Sequence, residues 1–289
     1  MSLRDLIAPG QLLVAPGIFD MISARVADRM GFGALYMTGY GAVASSLGLP
    51  DAGMASYTEM HSRVATIAGG CTTPLIADAD TGFGGLLNVD RTVRGYEAAG
   101  AMGIQLEDQV FPKKCGHTPG REVIPAGEMA KKIRVAVEAR RNPDFLIIAR
   151  TDARTTHGLD EALRRAEIYG KAGADILFVE SPESEEEMAR ICRTFDKPCM
   201  ANMVEGGRTP VVSYEALKQI GYRFAIFPAT GFLAAAQALT TAYTALRQHG
   251  SSAGQNLDIM AFSEMNKLMG FERVWAFDKA HAGTDDAEK

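Results

Sequence analysis

The chain has 289 residues, of which 47% are hydrophobic and 22% are charged, and its formal net charge is −5 at pH 7. This composition is typical of a globular protein and excludes the disordered and fibrous classes. The acidic balance argues against a nucleic-acid partner, and no run reaches the roughly 18 apolar residues of a membrane span. We therefore expect neither nucleic acid nor membrane among its partners.

The first residues and the cysteines bear on the compartment. The stretch MSLRDLIAPGQLLVAPG has no basic segment leading into a long apolar run, so a secretory signal is not expected. The four cysteines, Cys71, Cys115, Cys192 and Cys199, include no CxxC pair. These features predict a cytoplasmic protein whose thiols are reduced.

Eight short apolar runs alternate with helix-like stretches along the chain. In order they are QLLVAPG (11–17), ALYMTG (34–39), PLIADAD (74–80), GIQLED (103–108), FLIIARTD (145–152), DILFVES (175–181), PCMANM (198–203) and FAIFPAT (224–230). Gly31, Gly100, Gly173 and Gly221 stand where a helix would end on a left-handed residue. Runs of this kind are typical of strands buried on both faces of a parallel sheet.

Eight strand–helix units in a chain of this length predict a (β/α)8 barrel, and we expect residues 1–289 to form this single domain. Polar residues follow most of the strands. The predicted strands end, in order, on Thr38, on Asp78 and Asp80, on Glu107 and Asp108, on Arg150 and Asp152, on Glu180, and on Asn202. A barrel brings all these ends to one mouth. Individually, such residues are explained equally well as helix caps or loop polars.

Two long connections and the C-terminal part stand out. The segments 39–60 and 109–129 are expected to be functional loops, because long loops in a compact domain usually bind or cover ligands. The segment of about 257–281 carries apolar residues at helical spacing that a closed barrel does not need. We expect this segment to pack on a partner subunit.

The stretch DADTGFG at 78–84 predicts a metal site. Asp78 and Asp80 are two residues apart on a predicted strand, so their carboxylates project to the same face, and Glu107 ends the next strand. An all-oxygen set suits Mg2+, with Mn2+ as an alternative. The competing interpretation is that Asp80 caps the following turn and Asp78 forms a buried salt bridge.

The stretch FPKKCGHTPGREV at 111–123 predicts a reactive thiol. Lys113, Lys114 and His117 surround Cys115, and cationic neighbours lower a thiol pKa or stabilise an anionic substrate. Gly116 and Gly120 would allow the loop to open and close. The competing interpretation is a solvated basic turn with an incidental cysteine.

Further strand-end residues suggest how a small acid would be bound. Arg150 would present a planar guanidinium to a carboxylate, or pair with Glu180 or Asp152. The MTGYG stretch offers backbone N–H groups and the Thr38 hydroxyl to an anion, and Asn202 lies above the seventh strand. No lysine ends a predicted strand, which argues against a Schiff-base aldolase. A metal, a carboxylate clamp and an acid–base thiol favour a reaction through an enolate.

The motifs KKCGH at 113–117, DADTGFG at 78–84 and LEDQ at 106–109 resemble the isocitrate lyase/phosphoenolpyruvate mutase superfamily over about residues 10–280. The resemblance implies a barrel whose eighth helix is swapped between subunits, giving dimers that pair into homotetramers. It also implies that Asp80, and more indirectly Asp78 and Glu107, form the Mg2+ site. Cys115 would protonate the departing enolate.

The same resemblance implies the substrate contacts and narrows the reaction. Thr38, Gly39 and Tyr40 would bind a substrate carboxylate, Arg150 would clamp the substrate, and Tyr36 and Asp51 would form the pocket wall. We add Gly116, Glu180 and Asn202 to these substrate-binding residues. The predicted catalytic residues are Cys115, Lys113, His117, Glu107 and Arg150. Family members that cleave methylisocitrate carry an arginine where this chain has Leu233. Leucine cannot pair with the third carboxylate of that substrate, which would therefore be left without a cation in the pocket. The sequence therefore predicts a lyase acting on a 2-alkylmalate such as 2,3-dimethylmalate. Hydrolysis of oxaloacetate and cleavage of methylisocitrate are the alternatives.

Overall fold

The computed structural model describes residues 3–116 and 120–282. The strands of this described part are β1 (Leu13–Ile18), β2 (Leu35–Met37), β3 (Leu75–Asp78), β4 (Gly103–Glu107), β5 (Leu146–Thr151), β6 (Ile176–Val179), β7 (Met200–Asn202) and β8 (Phe224–Phe227). The helices are α1 (Leu3–Leu6), α2 (Met21–Asp28), α3 (Gly39–Leu47), α4 (Tyr57–Gly70), α5 (Leu86–Ala98), α6 (Ala126–Ala139), α7 (Arg154–His157), α8 (Leu159–Lys171), α9 (Glu185–Thr194), α10 (Tyr214–Ile220), α11 (Thr230–His249), α12 (Phe262–Met269) and α13 (Phe271–His281).

The eight strands form one parallel sheet that curves back on itself. Each strand pairs with its neighbour in sequence from β1 to β6, and β1 also pairs with β8, which pairs with β7. A single parallel bridge between Leu177 and Cys199 joins β6 to β7 at the remaining seam. The predicted (β/α)8 barrel is therefore confirmed.

Two layers of apolar side chains fill the structure. The inner layer lies inside the barrel and includes Leu13, Tyr36, Ile148, Phe178 and Phe224. Leu3 and Ile7, from α1 and the residue that follows it, belong to this inner layer. The outer layer packs the strands against the surrounding helices. Because the barrel interior is packed with side chains, a ligand can only bind at an end of the barrel.

Local sequence signals fix the helix ends. Asp20 and Ser23 form a reciprocal capping box at the start of α2, and Ser56 and Glu59 form another at the start of α4. Gly221 ends α10 with φ of 109°, and its N–H donates to Leu217 O. Gly31, Gly100 and Gly173 also have positive φ values, as the sequence predicts.

Two segments differ from the sequence expectation. Residues Gly39–Leu47 form helix α3 rather than a loop, with Thr38 as its N-cap residue and Gly48 in a left-handed conformation at its end. Alanines such as Ala42 and Ala44 favour a helix there, whereas Gly39 and Gly41 have low helix propensity, so the sequence does not clearly predict one. The apolar C-terminal segment consists of two helices, α12 and α13, because Gly270 adopts φ of 84° between them.

The chain divides into two compact units, Met1–Leu233 and Ala234–Lys289. The first unit contains all eight strands. In the second unit, large apolar side chains of α12 and α13 are exposed: Phe262 by 81%, Phe277 by 62% and Trp275 by 55%. Within the described residues, no helix is both long enough and apolar enough to cross a membrane. The packing of the 257–281 segment on a partner subunit stays a prediction.

Candidate active site

A cavity of about 290 Å3 opens at the carboxyl ends of the strands. Ten of the residues that the sequence predicted for the site line it: Tyr36, Thr38, Tyr40, Asp51, Asp78, Cys115, Gly116, Arg150, Glu180 and Asn202. They come from six strands or from the connections that follow them. The barrel therefore brings together residues that are more than 160 positions apart in sequence, as expected for polar strand ends.

The two aspartates of the DADTGFG stretch reach the mouth by different routes. Asp78 is the last residue of β3, whereas Asp80 lies beyond the strand with φ of 49°. The Asp80 N–H donates to Asp78 Oδ1 at 3.1 Å, and Gln105 Nε2 donates to the same oxygen at 3.2 Å. A left-handed conformation at a residue other than glycine is strained and is concentrated at functional sites. The turn, rather than strand alternation, brings the second carboxylate to the site.

Lys113 links the cysteine-bearing segment to these carboxylates. Its side chain is 3% exposed, and its Nζ lies 2.7 Å from Asp80 Oδ1 and donates to Asp51 Oδ1. Burial lowers the pKa of Lys113, but the carboxylates of Asp80 and Asp51 raise it well above its usual value. The ammonium group thus offsets carboxylate charge, and a direct action of Lys113 on the thiol or on substrate stays a prediction.

Arg150 lies at the centre of a second network of ion pairs. Its Nε and Nη2 donate to the two oxygens of Asp152 at 2.9 and 2.8 Å. Its Nη1 lies 3.3 Å from Glu107 Oε2, and its Nη2 lies 3.5 Å from Glu180 Oε2. The ion pairs that the sequence allowed with Asp152 and Glu180 are both present. Arg150 also lines the cavity, so the same guanidinium faces the ligand space.

Burial raises the pKa of three carboxyl groups at the mouth, those of Asp51, Asp78 and Glu107. Burial, and then the neighbouring charge of Asp80, raise the pKa of Asp78 to about 6. Burial also raises the pKa of Asp51, and it raises the pKa of Glu107 well above its usual value despite the nearby Arg150. The carboxyl groups around Lys113 and Arg150 outnumber these two cations, so the site is electrostatically suited to an additional cation.

The described residues contain no group of three or more His, Cys, Asp or Glu side chains that could by themselves enclose a metal ion. Glu107 Oε1 is buried and accepts no hydrogen bond from any described residue. Asp78 Oδ2 lies against the backbone of Gly39, where an added Cβ would stand only 2.6 Å from it. Carboxylate oxygens are nevertheless the donors that a hard divalent cation prefers.

The segment that bears Cys115 lies directly on Arg150. The Gln109 side chain makes two hydrogen bonds to the backbone of this segment: its Oε1 accepts from Lys114 N–H at 2.9 Å, and its Nε2 donates to Lys114 O at 2.8 Å. A Cβ on Gly116 would stand 2.5 Å from Arg150 Nη2. The half-buried Cys115 lines the cavity beside Gly116. His117 lies outside the described residues, and its catalytic role stays a prediction.

Several lining residues escaped the sequence analysis. Gln105 connects two predicted residues, because it accepts from Tyr36 Oη at 2.7 Å and donates to Asp78. A glutamine inside a buried strand, two positions before Glu107, was the available signal. Asn202 donates to Glu180 Oε2 at 3.0 Å and thereby orients that carboxylate.

One wall of the cavity is apolar. It is formed after β7 and β8 by Val204, Pro228, Ala229, Phe232 and Leu233, together with Ile226 of β8. The Phe232 ring packs against the Tyr40 ring at 5.1 Å. These residues cannot be told from core residues in the sequence, since apolar side chains line pockets and cores alike. The cavity therefore has a charged side and an apolar side.

Comparisons with known proteins agree with this site. Residues 3–247 match the family described as phosphoenolpyruvate phosphomutase. The chain is 52% identical over 273 residues to a 2,3-dimethylmalate lyase of Eubacterium barkeri, covering 94% of each protein. It is 43% identical to a 2-methylisocitrate lyase of Aeropyrum pernix, covering 94% of this chain and 87% of that protein. It is 42% identical to the petal death protein of Dianthus caryophyllus, covering 94% and 86%.

Solved structures extend the comparison. An oxaloacetate acetylhydrolase in complex with 3,3-difluorooxalacetate superimposes with a TM-score of 0.92 at 36% identity, covering 98% of this chain and 97% of that one. A 2,3-dimethylmalate lyase gives 0.90 at 37% identity, covering 99% and 95%. A phosphonopyruvate hydrolase in complex with oxalate and Mg2+ gives 0.87 at 28% identity, covering 97% and 98%. The chain therefore belongs to the phosphoenolpyruvate mutase/isocitrate lyase superfamily, as its motifs predicted.

Proposed function

We propose that this protein is a Mg2+-dependent carbon–carbon lyase that cleaves a 2-alkylmalate, such as 2,3-dimethylmalate, to pyruvate and a carboxylate. The observation that carries the proposal is the cavity itself, which gathers a thiol, a buried guanidinium and an acidic cluster around one space. The 52% identity to a 2,3-dimethylmalate lyase, over 94% of both chains, supports the choice of reaction.

The residues that would hold the metal are Asp78 and Asp80, with Glu107 nearby. Their oxygens suit Mg2+ or Mn2+, and Mg2+ commonly uses one or two carboxylates and keeps several waters, which agrees with the small number of converging protein ligands. A structurally similar phosphonopyruvate hydrolase contains Mg2+. When bound, the ion would supply positive charge that stabilises negative oxygen on the substrate.

Arg150 would hold a substrate carboxylate at the far side of the cavity. Its fork is already fixed by Asp152, so little side-chain entropy is lost when a carboxylate binds. The Thr38 hydroxyl and the N-terminal end of α3 face the same cavity through Thr38 and Tyr40. These groups would orient the substrate so that its C2–C3 bond lies beside the thiol.

Cys115 would act as the proton donor. Transfer of the C2 hydroxyl proton to a carboxylate that lines the cavity would allow the C2–C3 bond to break. This step converts C2 into the keto carbon of pyruvate and leaves the bonding electron pair on C3. The Cys115 S–H then delivers its proton to C3, giving the carboxylate product and a thiolate that is later reprotonated. Gly116 is buried and lines the same space as Cys115, so a substrate bound there would be partly shielded from water.

The apolar wall would select alkyl groups on the substrate. Val204, Phe232 and Leu233 offer contacts to methyl groups at C2 or C3, each worth about 0.8 kcal/mol per buried methylene. Arg150 is the one lysine, arginine or histidine among the described residues that line the cavity. A third carboxylate would have no cation of its own, which disfavours methylisocitrate.

Hydrolysis of oxaloacetate is the second candidate, favoured by the TM-score of 0.92 with an oxaloacetate acetylhydrolase. Oxaloacetate has no alkyl group for the apolar wall. The deciding experiment compares, in the presence of Mg2+, pyruvate release from 2,3-dimethylmalate and methylisocitrate, glyoxylate release from malate, and loss of oxaloacetate. We expect the highest kcat/KM with 2,3-dimethylmalate. Oxaloacetate loss without pyruvate release from any malate would contradict the lyase proposal.

We also propose that the protein is a homo-oligomer, with a homotetramer as the expected form. The exposed apolar side chains of α12 and α13, including Phe262 and Trp275, support a second copy as their cover. Light scattering of the purified chain should give four times the monomer mass. A monomer at micromolar concentration would contradict this proposal.

A further inference from the structure

Arg121 is a fully buried arginine that the catalytic scheme does not use. It lies on the returning part of the thiol segment, by which we mean the described residues 109–116 and 120–124. It is 1% exposed, whereas arginines are almost never fully buried unless they are paired. Its Nη1 donates to Asp152 Oδ1 at 2.6 Å, and its Nη2 donates to Thr155 Oγ1 and lies 3.4 Å from Ser181 Oγ.

Asp152 joins this arginine to the substrate clamp. The same carboxylate accepts two hydrogen bonds from Arg150, so one buried anion holds two guanidinium groups. Burial alone would raise the pKa of Asp152, but Arg150 and then Arg121 bring it below its usual value. The carboxylate is therefore ionised, and both hydrogen-bonded pairs are charge-assisted.

Ser181 provides a second connection, and this one reaches the residue beside the thiol. Its Oγ donates to Gly116 O at 3.2 Å, and its backbone is held with φ of 61°. Arg121 therefore reaches Gly116 through Ser181, while Gly116 itself lies against the Arg150 guanidinium that Asp152 fixes. Both connections end at the residue next to Cys115.

The base of the segment does not depend on Arg121. Val110 N–H donates to Glu122 O at 2.9 Å, and Ile124 N–H donates to Asp108 O at 2.8 Å, which pairs the two ends as a short antiparallel ladder. Lys114 Nζ donates to Gly120 O at 2.6 Å. These bonds hold the segment to the barrel, but none of them connects it to Arg150.

We propose that Arg121 is a positioning residue that fixes the thiol of Cys115 relative to the Arg150 clamp through their shared anchor, Asp152. The catalytic consequence rests on the proposed function, whereas the placement of the thiol does not. Loss of the Arg121 side chain would leave the segment attached at its base and through Lys113 and Lys114, and would loosen the part formed by Cys115 and Gly116. The segment and the substrate clamp are thus oriented by one carboxylate.

The test measures the alkylation rate of Cys115 by iodoacetamide in Arg121→Met, with peptide mass spectrometry to resolve each thiol. We expect Cys115 to react about tenfold faster or more, since a hydrogen bond to a charged group corresponds to about that factor in an opening equilibrium. Cys71, a half-buried thiol at the amino end of β3, serves as the internal reference. Its rate should not change.

Arg140→Met is the matched control. Arg140 Nη1 also donates to a carboxylate, Asp175 Oδ2, at 2.5 Å, but at the amino ends of β5 and β6. This variant should alkylate Cys115 at the wild-type rate. A folded Arg121→Met protein with wild-type Cys115 reactivity would overturn the proposal, as would equal acceleration in Arg140→Met.

Two further measurements complete the test. If Arg121→Met does not fold, Thr155→Val removes one acceptor of Arg121, and faster Cys115 alkylation supports the proposal while a wild-type rate overturns it. With 2,3-dimethylmalate, Arg121→Met should lower kcat by about 10- to 100-fold and change KM by less than about threefold, because the thiol acts after substrate binding. If the wild-type protein is inactive on every malate while Arg121→Met still accelerates Cys115 alkylation, the lyase proposal is rejected and the positioning proposal stands.

Discussion

The close approach of Gly116 to Arg150 allows the effect of Gly116→Ala on kcat to be estimated. A methyl group on Gly116 would lie 2.5 Å from Arg150 Nη2 and 3.2 Å from the Glu180 carboxyl carbon. An ordinary contact needs at least 3.4 Å, so one partner must move by about 0.9 Å. Arg150 cannot give way easily, because Asp152 holds two of its nitrogens and Glu107 lies beside a third.

The displacement in Gly116→Ala should therefore fall on the thiol segment and on Cys115. A misplacement of about 1 Å at a reacting group costs on the order of 100-fold in rate. We expect kcat for pyruvate release, measured with a coupled lactate dehydrogenase assay, to fall by about that factor. Gly127→Ala is the control, since a Cβ at Gly127 in α6 meets nothing within 4 Å. Wild-type kcat in a folded Gly116→Ala protein would refute this reasoning.

Three further predictions address the thiol, the metal and the substrate. Cys115→Ser should bind oxalate normally but lose about 10²- to 10⁴-fold in kcat, the usual effect of removing a positioned proton donor; unchanged turnover would exclude the thiol from the mechanism. EDTA should abolish turnover and added Mg2+ should restore it, whereas Asp80→Asn should raise the Mg2+ dissociation constant by at least about tenfold in calorimetry, because a carboxylate oxygen is replaced by a neutral amide; activity that survives EDTA would contradict a metal-dependent reaction. Leu233→Arg should raise kcat/KM for methylisocitrate relative to 2,3-dimethylmalate by about tenfold or more, since the added guanidinium can pair with the third carboxylate; an unchanged ratio would mean that residue 233 does not contact that group.

The charged half of the site could be predicted from the sequence because its residues lie at the carboxyl ends of the strands. Arg150, Glu180 and Asn202 directly follow or end buried strands, and a barrel brings such residues to one opening. The apolar half was not predictable in the same way. Phe232 and Val204 carry no signal that separates a pocket wall from a core, and their position depends on how the connections after β7 and β8 fold.

Other details depend on contacts distant in sequence. The left-handed turn at Asp80 brings its carboxylate to the mouth, although strand alternation suggested another route. The sequence groups Lys113 with Cys115, but its ammonium group pairs with Asp51, which is 62 positions away. Arg121 was not among the predicted site residues, and only the fold reveals that it shares Asp152 with Arg150. Local patterns thus predict which residues reach the mouth, while tertiary packing decides which of them pair.

Cys115 is proposed to deliver a proton to the carbon released by cleavage. Turnover of 2,3-dimethylmalate in D2O tests this step, with the propanoate product analysed for deuterium at its C2 carbon. We predict one deuterium placed with a single stereochemistry by the wild-type protein, and a racemic label in the residual product of Cys115→Ser. A racemic label from the wild-type protein, or identical stereochemistry from both proteins, would contradict the claim.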